Sequence, residues 1–135
     1  MTQSERIAAY LRETLGTAPE HLWARYPEYA VFRHPSTGKW YAILMNVPRD
    51  KLGLPGTETV FALVMKADPT LLGGLLREEG FRPAYHMNRE HWVTAVLDDT
   101  LPDSRVLPLI RMSWDLVAPK GRKRAGRSAE RTQNT

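Results

Sequence analysis

Two runs rich in apolar and β-branched or aromatic residues, at positions 39–45 and 57–65, constrain the fold of this chain most. Composition of this kind is typical of strands. A shorter run at 29–33 precedes them, and the turn-forming sequence Pro-Ser-Thr-Gly at 35–38 separates it from the first long run. The first two runs therefore predict a β-hairpin. Residues 46–56 contain two prolines and two glycines, and this composition predicts a long loop.

Three other segments carry apolar residues at three- and four-residue spacing, which predicts helices at 2–15, 69–79 and 102–117. The second helix is expected to begin at Asp68, because an N-cap residue is there followed by Pro69 at the first helical position. Gly at the end of the first and second segments is a typical helix terminator. The helical segments thus lie before, between and after the predicted strands.

Two further short strands are predicted at 81–85 and 91–97. The resulting order is helix, three strands, helix, two strands, helix. It predicts an α+β fold, an antiparallel sheet packed by the N- and C-terminal helices on one face. Pro108 should kink the last helix or shift its start. Gly73 and Gly74 each disfavour the middle helix by about 1 kcal/mol relative to Ala, and close packing against a strand is one explanation for the pair.

The formal charge of +4 is unevenly distributed along the 135 residues. Residues 119–135 contain six basic residues and one acidic residue, a net charge of +5, which leaves −1 for residues 1–118. A length near 120 residues suits one folded domain with a modest core. We therefore predict a single domain over residues 1–118 and a basic disordered tail over residues 119–135.

Composition and missing motifs exclude several classes of function. The chain has no cysteine, which excludes disulfides, thiolate zinc sites and a cysteine nucleophile. No apolar run approaches the roughly 20 residues of a membrane span, and the N-terminal segment is charged where a signal peptide is apolar. Nucleophile-elbow, phosphate-loop and dinucleotide motifs are absent from the sequence. The expectation is a cytoplasmic, noncatalytic monomer that needs no cofactor, metal or membrane.

The segment Tyr-His-Met-Asn-Arg-Glu-His-Trp at 85–92 groups His86, Asn88, His91 and Trp92 within seven positions. A metal site there needs a further ligand, such as a nearby aspartate or histidine. The alternative is that His86 and Asn88 hydrogen-bond the backbone of a turn, while His91 packs at the start of a strand. Strand alternation places Trp92 on the opposite face from His91, and we expect it to pack in the core.

Four aspartates, Asp98, Asp99, Asp103 and Asp115, suggest acid–base chemistry, because paired carboxylates can raise one another's pKa. Their positions offer a simpler explanation. Asp98 and Asp99 lie at a strand-to-helix turn, where aspartate is a common turn and capping residue. Asp103 lies in the first turn of the last helix, where the helix dipole favours a negative charge. We expect no catalytic role for them.

The segment at 85–92, the sequence Leu-Asp-Asp-Thr-Leu-Pro-Asp at 97–103 and the sequence Ser-Trp-Asp-Leu-Val at 113–117 together resemble the signature of the MmcQ/YjbR-like proteins. The resemblance covers roughly residues 6–117. It implies a frataxin-like (CyaY-like) α+β fold. Iron binding of the frataxin type is not expected, because the first helix has only two acidic residues and two arginines interrupt them.

The resemblance also implies a double-wing protein whose hairpins contact double-stranded DNA. One wing would be the predicted hairpin around 33–41, and the other the turn around 86–91. Basic residues there and in the tail would meet phosphates, with these candidate positions: Arg33, Lys39, Arg82, Arg89, Lys120, Arg122, Lys123 and Arg124. The ring of Trp40, if exposed near the hairpin tip, would stack on a base or enter a groove. A tail that neutralised about five phosphates would give a log–log salt slope near −4.5. The alternative function is a small-ligand or protein-interaction module that uses the turn at 86–92.

Overall fold

Five antiparallel strands and three α-helices make up the computed structural model, which describes residues 1–120. Their order is α1 (Gln3–Glu13), β1 (Ala30–Arg33), β2 (Trp40–Pro48), a 3₁₀ helix (Arg49–Leu52), β3 (Thr59–Lys66), α2 (Pro69–Leu75), β4 (Phe81–Pro83), β5 (Trp92–Val96) and α3 (Asp103–Leu116). The sheet order is β1-β2-β3-β5-β4, with every neighbouring pair antiparallel. The predicted α+β class and the β1–β2 hairpin are confirmed. The predicted tail residues Arg122, Lys123 and Arg124 lie outside the described residues.

Helices α1 and α3 cover one face of the sheet, as predicted. Ile7 and Leu11 of α1 and Val106 and Ile110 of α3 are completely buried, and they join one apolar cluster with side chains of the strands. Helix α2 adds two buried leucines to the same cluster. Each such side chain stabilises the fold by about 1.5–3 kcal/mol when it leaves water. Within residues 1–120, no helix is long and apolar enough to cross a membrane.

The opposite face of the sheet is also apolar, and we call it the helix-free face. Its buried side chains come from the strands, the 3₁₀ helix and Ala84, with no contribution from α1, α2 or α3: Val31, Ile43, Met45, Val47, Leu52, Val60, Ala62, Val64, Ala84 and Val96. Half-buried side chains, most of them aromatic, pack over this layer: Trp23, Tyr29, Trp40, Leu54, Tyr85, Met87 and Trp92. Rings from loops and strand ends thus cover the face where a helix layer is missing.

A β-bulge in β2 decides which face each of two adjacent aromatic residues occupies. Phe32 pairs with Ala42 whereas Arg33 pairs with Trp40, so Tyr41 is the extra residue. Tyr41 is completely buried beneath the helices, together with Ala42, and Trp40 packs half-buried on the helix-free face. The strand is therefore not regular, and both rings are packed against apolar clusters.

Two hydroxyl groups hold the bulged residue Tyr41 in place. Ser113 of α3 donates to the Tyr41 carbonyl oxygen at 2.6 Å, and its oxygen accepts from the Lys66 backbone N–H at 2.9 Å. The Thr17 hydroxyl donates to the Leu11 carbonyl at 3.0 Å and lies 2.6 Å from the Tyr41 hydroxyl. The Tyr41 hydroxyl is therefore the donor to Thr17, and burial raises its pKa to about 12.

Polar side chains of α1 join the N-terminus of the protein to the turn before α3. The Gln3 side-chain amide donates to the Leu101 carbonyl at 2.7 Å and accepts from the Asp99 N–H at 2.8 Å. Arg6 forms ion pairs of 2.8 Å with both Asp99 and Asp103. Because these groups are about 100 residues apart in the chain, they fix the two helices relative to each other.

Some predicted boundaries were wrong. Residues 46–48 continue β2 because they pair with β3, and the 3₁₀ helix follows, so the predicted loop at 46–56 is partly ordered structure. Helix α2 ends at Leu75, and a Cβ atom added at Gly73 or Gly74 would meet nothing within 4 Å. Close packing therefore does not explain this pair. Helix α3 begins at Asp103 and continues through Pro108.

Replacing Ser113→Ala should destabilise the protein by about 1–3 kcal/mol, because the substitution leaves a buried carbonyl and a partly buried N–H without their hydroxyl partner. Urea unfolding measures the effect. Ser104→Ala, an exposed position on the same helix, is the matched control and should change stability by less than about 0.5 kcal/mol. Equal effects of the two substitutions would contradict the bridging role of Ser113.

Asp103 should make the stability depend on pH. Hydrogen bonds from Arg6 and then Gln3 lower its pKa below the ordinary value of 3.8. The carboxylate therefore stabilises the fold above that value, and the contribution is lost as the pH falls through the lowered pKa. Asp103→Asn should cost about 1 kcal/mol at neutral pH, a value reduced by solvent screening of this partly exposed pair.

Urea unfolding over a pH series measures this difference, which should shrink toward zero in acid. In an Arg6→Met background, Asp103→Asn should have a smaller effect at neutral pH. A difference that stays constant across the pH series would show that the charge of Asp103 is not what stabilises the fold.

Candidate functional site

A pocket of about 400 Å³ opens on the helix-free face of the sheet. Ile43 and Met45 of β2 are buried residues of this face and line the pocket. The other lining residues come from the connector before β1, the start of β2 and the turn before β5: Trp23, Tyr26, Tyr29, Trp40, Tyr85, His86 and Met87. Small-molecule sites usually have volumes of roughly 300–1,000 Å³ and mostly apolar, aromatic walls. The pocket matches both properties.

The connector between α1 and β1 places three rings through consecutive tight turns. The Tyr26 N–H donates to the Trp23 carbonyl at 3.1 Å, and the Tyr29 N–H donates to the Tyr26 carbonyl at 3.0 Å. Pro27 lies within the second of these turns and cannot continue a helix. The connector is attached to the sheet edge where Glu20 and Val31 exchange two backbone hydrogen bonds of 2.9 Å.

The rings of the connector and of β2 contact one another in a defined arrangement. Tyr26 and Tyr29 are stacked, with centroids 4.7 Å apart and an interplanar angle of 13°. Trp23 meets Tyr29 edge-on at 5.9 Å and 74°, and it meets Trp40 edge-on at 6.0 Å and 82°. Offset stacks and edge-to-face pairs are the favourable aromatic geometries. The wall is therefore held by ring–ring contacts as well as by the backbone.

The turn before β5 supplies the remaining wall. The Tyr85 N–H donates to the buried Thr94 hydroxyl at 3.0 Å, which fixes the turn to β5. His86 adopts a left-handed conformation with φ of 61°, and its ring lies 4.0 Å from the Tyr85 ring. A positive φ is uncommon for a residue other than glycine, although histidine is among the residues that adopt it more often. The left-handed conformation of His86 lets the chain reverse direction while Tyr85, His86 and Met87 all line the pocket.

The lining of the pocket carries no acidic side chain and no lysine or arginine among its nine residues, all within the described part of the chain. Burial, followed by the neighbouring tyrosine hydroxyls, raises the pKa of Tyr29 and of Tyr85. These phenols are therefore protonated at neutral pH. The site offers aromatic faces, two methionine sulfurs and hydroxyl groups to a ligand.

The structure does not bring the four predicted ligand residues together. His86 lines the pocket, and Asn88 accepts a 2.7 Å hydrogen bond from the Glu90 N–H, as expected for a turn residue. His91 is exposed, so its predicted packing at the start of the strand was wrong. The contact it makes is through its backbone, whose N–H donates to the Asn88 carbonyl. Trp92 packs half-buried on the helix-free face. Within residues 1–120, no group of three or more His, Asp or Glu is placed to bind a metal.

The basic residues predicted to contact DNA differ in their surroundings. The Arg33 guanidinium pairs with Glu20 at 3.0 Å and lies 5.8 Å from the Trp40 ring centroid, so its charge already has a partner. Arg82 donates to the Leu52 carbonyl at 2.7 Å. The side chains of Lys39, Arg89 and Lys120 are exposed.

Asp98, Asp99 and Asp103 each form contacts that hold the structure together. Asp98 accepts from the Thr100 N–H at 3.1 Å and pairs with Arg49 at 3.4 Å, whereas Asp99 and Asp103 pair with Arg6. Burial raises the pKa of Asp98, but hydrogen bonds from Thr100 and Arg49 outweigh this effect and lower it overall. A general acid at neutral pH needs a raised pKa, whereas the pKa values of Asp98 and Asp103 are lowered. The contacts of these aspartates instead form the turn and join the two helices.

Seven pocket residues were not among the predicted site residues: Trp23, Tyr26, Tyr29, Ile43, Met45, Tyr85 and Met87. The sequence carried one usable signal, because three aromatic residues fall within seven positions of a connector that otherwise has little apolar character. Exposed aromatic clusters in a loop often mark binding surfaces. These rings line the same pocket as Tyr85 and Met87 because of the way the sheet is formed, and no local sequence pattern predicted this.

Comparison with known proteins agrees with the fold and with the sequence signature. The chain is 40% identical over 117 residues to the uncharacterised protein YyaQ of Bacillus subtilis, covering 87% of this chain and 99% of that protein. A solved structure of a Pseudomonas syringae protein has a TM-score of 0.82 and 39% identity, covering 84% of this chain and 97% of that one. A Deinococcus radiodurans structure has a TM-score of 0.67 at 24% identity, covering 100% and 96%, and shares the fold.

The family model named YjbR matches residues 13–116, which include β1 to β5, the turn at 85–92 and α3. The relationship to the YjbR proteins that the sequence signature suggested is thereby confirmed. This chain belongs to the YjbR family.

Proposed function

We propose that this protein is a noncatalytic domain that binds a small molecule in the aromatic pocket. The observation that carries the proposal is the 400 Å³ space on the helix-free face, between a β2 floor and walls of aromatic side chains. A site of this size and lining buries a small ligand mainly through apolar and aromatic contacts. The turn at 85–92 takes part through Tyr85, His86 and Met87.

The aromatic wall of the pocket is already in place in the free protein. Covering the apolar layer of the helix-free face would not by itself require this arrangement. Tyr26 is 52% exposed, yet its ring is stacked on Tyr29 and lines the pocket. An exposed ring that merely sealed the core would gain little by this position. A ring held ready in the free protein lowers the entropic cost of binding a ligand.

The lining residues support binding rather than catalysis. They include no carboxylate, and although the His86 ring lies 4.0 Å from the Tyr85 ring, no hydrogen bond joins these two side chains among the described residues. A nucleophile or a general acid–base pair needs such a partner within hydrogen-bond reach. We therefore propose that the ligand is bound and released unchanged.

Contact with double-stranded DNA is a second candidate function, and one observation favours it. The Thr37 hydroxyl donates to the Val117 carbonyl at 2.9 Å, which places the end of α3 beside the tip of the β1–β2 hairpin. The basic segment that follows therefore starts near the exposed Lys39. Clustered positive charge of this kind attracts the phosphate backbone without reading its sequence.

The pocket proposal predicts a single site for Nile red, a neutral dye whose emission increases in apolar surroundings. Tyr85→Ala and Met87→Ala should each weaken binding by about tenfold, because each removes a wall of the pocket, and tenfold corresponds to about 1.4 kcal/mol. Fluorescence titration measures the affinity, and circular dichroism checks that each variant is folded.

Leu71→Ala is the matched control, since Leu71 is a large apolar side chain on α2 that is 46% exposed and does not line the pocket. It should leave the Nile red affinity unchanged. Loss of binding in this variant, or full binding in Tyr85→Ala, would argue that the dye adheres elsewhere and that the pocket is not a ligand site.

The DNA proposal predicts that the full chain binds a labelled duplex with a log–log salt slope near −4.5, because the tail neutralises about five phosphates. Lys39→Ala should weaken binding several-fold, and a variant that ends at Lys120 should lose most of the salt dependence. Fluorescence anisotropy at two salt concentrations measures both effects.

Lys51→Ala removes the same charge from an exposed position in the 3₁₀ helix and should have less effect than Lys39→Ala. If Lys39→Ala and Lys51→Ala weaken DNA binding equally, the position of Lys39 at the hairpin tip does not contribute to binding. Unchanged binding by the shortened chain would reject any role for the tail.

A further inference from the structure

We propose that the pocket ligand is a small cation with a quaternary or methylated ammonium group. This inference rests on the proposed binding function and specifies the chemistry of its ligand. Such cations bind to the faces of electron-rich rings, where the negative face of the ring quadrupole attracts the charge. The composition, the geometry and the charge of the pocket each favour this class.

The rings of the pocket are of the types that bind cations well. Five of the nine lining residues are tryptophan or tyrosine, and none is phenylalanine: Trp23, Tyr26, Tyr29, Trp40 and Tyr85. Tryptophan has the strongest attraction for a cation among the aromatic side chains. A pocket selected only for apolar contact has no need to use Trp and Tyr alone.

The rings that line the pocket lie in planes of different orientation. Trp23 is nearly perpendicular to Tyr29, at 74°, and to Trp40, at 82°, with centroids about 6 Å apart. Rings at right angles form walls in different directions, as in the aromatic cages that hold choline or methyl-lysine groups. Parallel stacking throughout would favour a flat ligand, and only the Tyr26–Tyr29 pair is stacked.

One wall of the pocket already lies close to a positive charge. The Arg33 guanidinium carbon lies 5.8 Å from the centroid of the Trp40 ring, within the distance of a cation–π contact. Glu20 balances the charge of Arg33 through two hydrogen bonds of 3.0 and 3.1 Å to its Nε atom. The protein thus tolerates a cation against this ring, and the Glu20 carboxylate limits repulsion between Arg33 and a ligand.

The absence of charged lining residues decides between kinds of cation. None of the nine lining residues is a carboxylate, so a primary ammonium would lose its water without gaining an ionic partner. A methylated ammonium has fewer N–H donors to satisfy and presents methyl groups to the apolar floor of Ile43 and Met45. No lysine or arginine is among the lining residues to repel it.

Isothermal titration calorimetry on the full chain tests the charge directly. The probes are choline and its uncharged isostere, in which a tert-butyl group replaces the trimethylammonium group. We expect choline to bind about tenfold more tightly, since a cation–π contribution of roughly 1–2 kcal/mol corresponds to that ratio. Equal or tighter binding of the uncharged isostere would overturn the proposal.

A pair of substitutions at one wall tests the role of the rings. Tyr85→Phe keeps an aromatic face and should bind choline within about threefold of the wild type, whereas Tyr85→Leu should lose about tenfold. Equal affinities of the two variants would show that apolar contact suffices and would overturn the cation assignment.

Nile red binding separates this proposal from the function on which it rests. If the wild-type protein binds Nile red in the pocket but does not bind choline, only the cation assignment fails. If it binds neither probe, the proposed binding function fails as well.

Discussion

The structure depends on a sheet that is apolar on both faces while α-helices cover only one of them. A large apolar surface is rarely left exposed to water. The connector before β1 and the turn before β5 therefore supply rings that cover the second face. Rings on loops pack less continuously than a helix would, and they leave the 400 Å³ pocket between them.

Packing on one face of the sheet affects the other face, because the bulge at Tyr41 sends the neighbouring Tyr41 and Trp40 side chains to opposite faces. Ser113 of α3 and Thr17 hold Tyr41 under the helices through buried hydrogen bonds. That position turns Trp40 toward the helix-free face, where it meets Trp23 and forms part of the pocket wall. A hydrogen bond in the helical layer thus sets the position of a ring in the candidate site.

Two predictions that rest on short-range patterns were confirmed. The N-cap at Asp68 and the β1–β2 hairpin both follow from spacing within a few residues. The prediction for 46–56 was partly wrong because pairing with β3 extends β2 past its apolar run. Of the predicted ligand residues, His86 lines the pocket, whereas Asn88 holds the turn and His91 is exposed.

From the sequence alone we could predict the element types, the separation of a nearly neutral body from a basic C-terminal segment, and the relationship to the YjbR family. These properties depend on neighbouring residues or on simple composition. The folded chain was needed to show that Arg33 is paired with Glu20 and that Trp23, Trp40 and Tyr85 enclose one space. Strand order and the bulge bring distant residues together, and local periodicity carries no information about either of them.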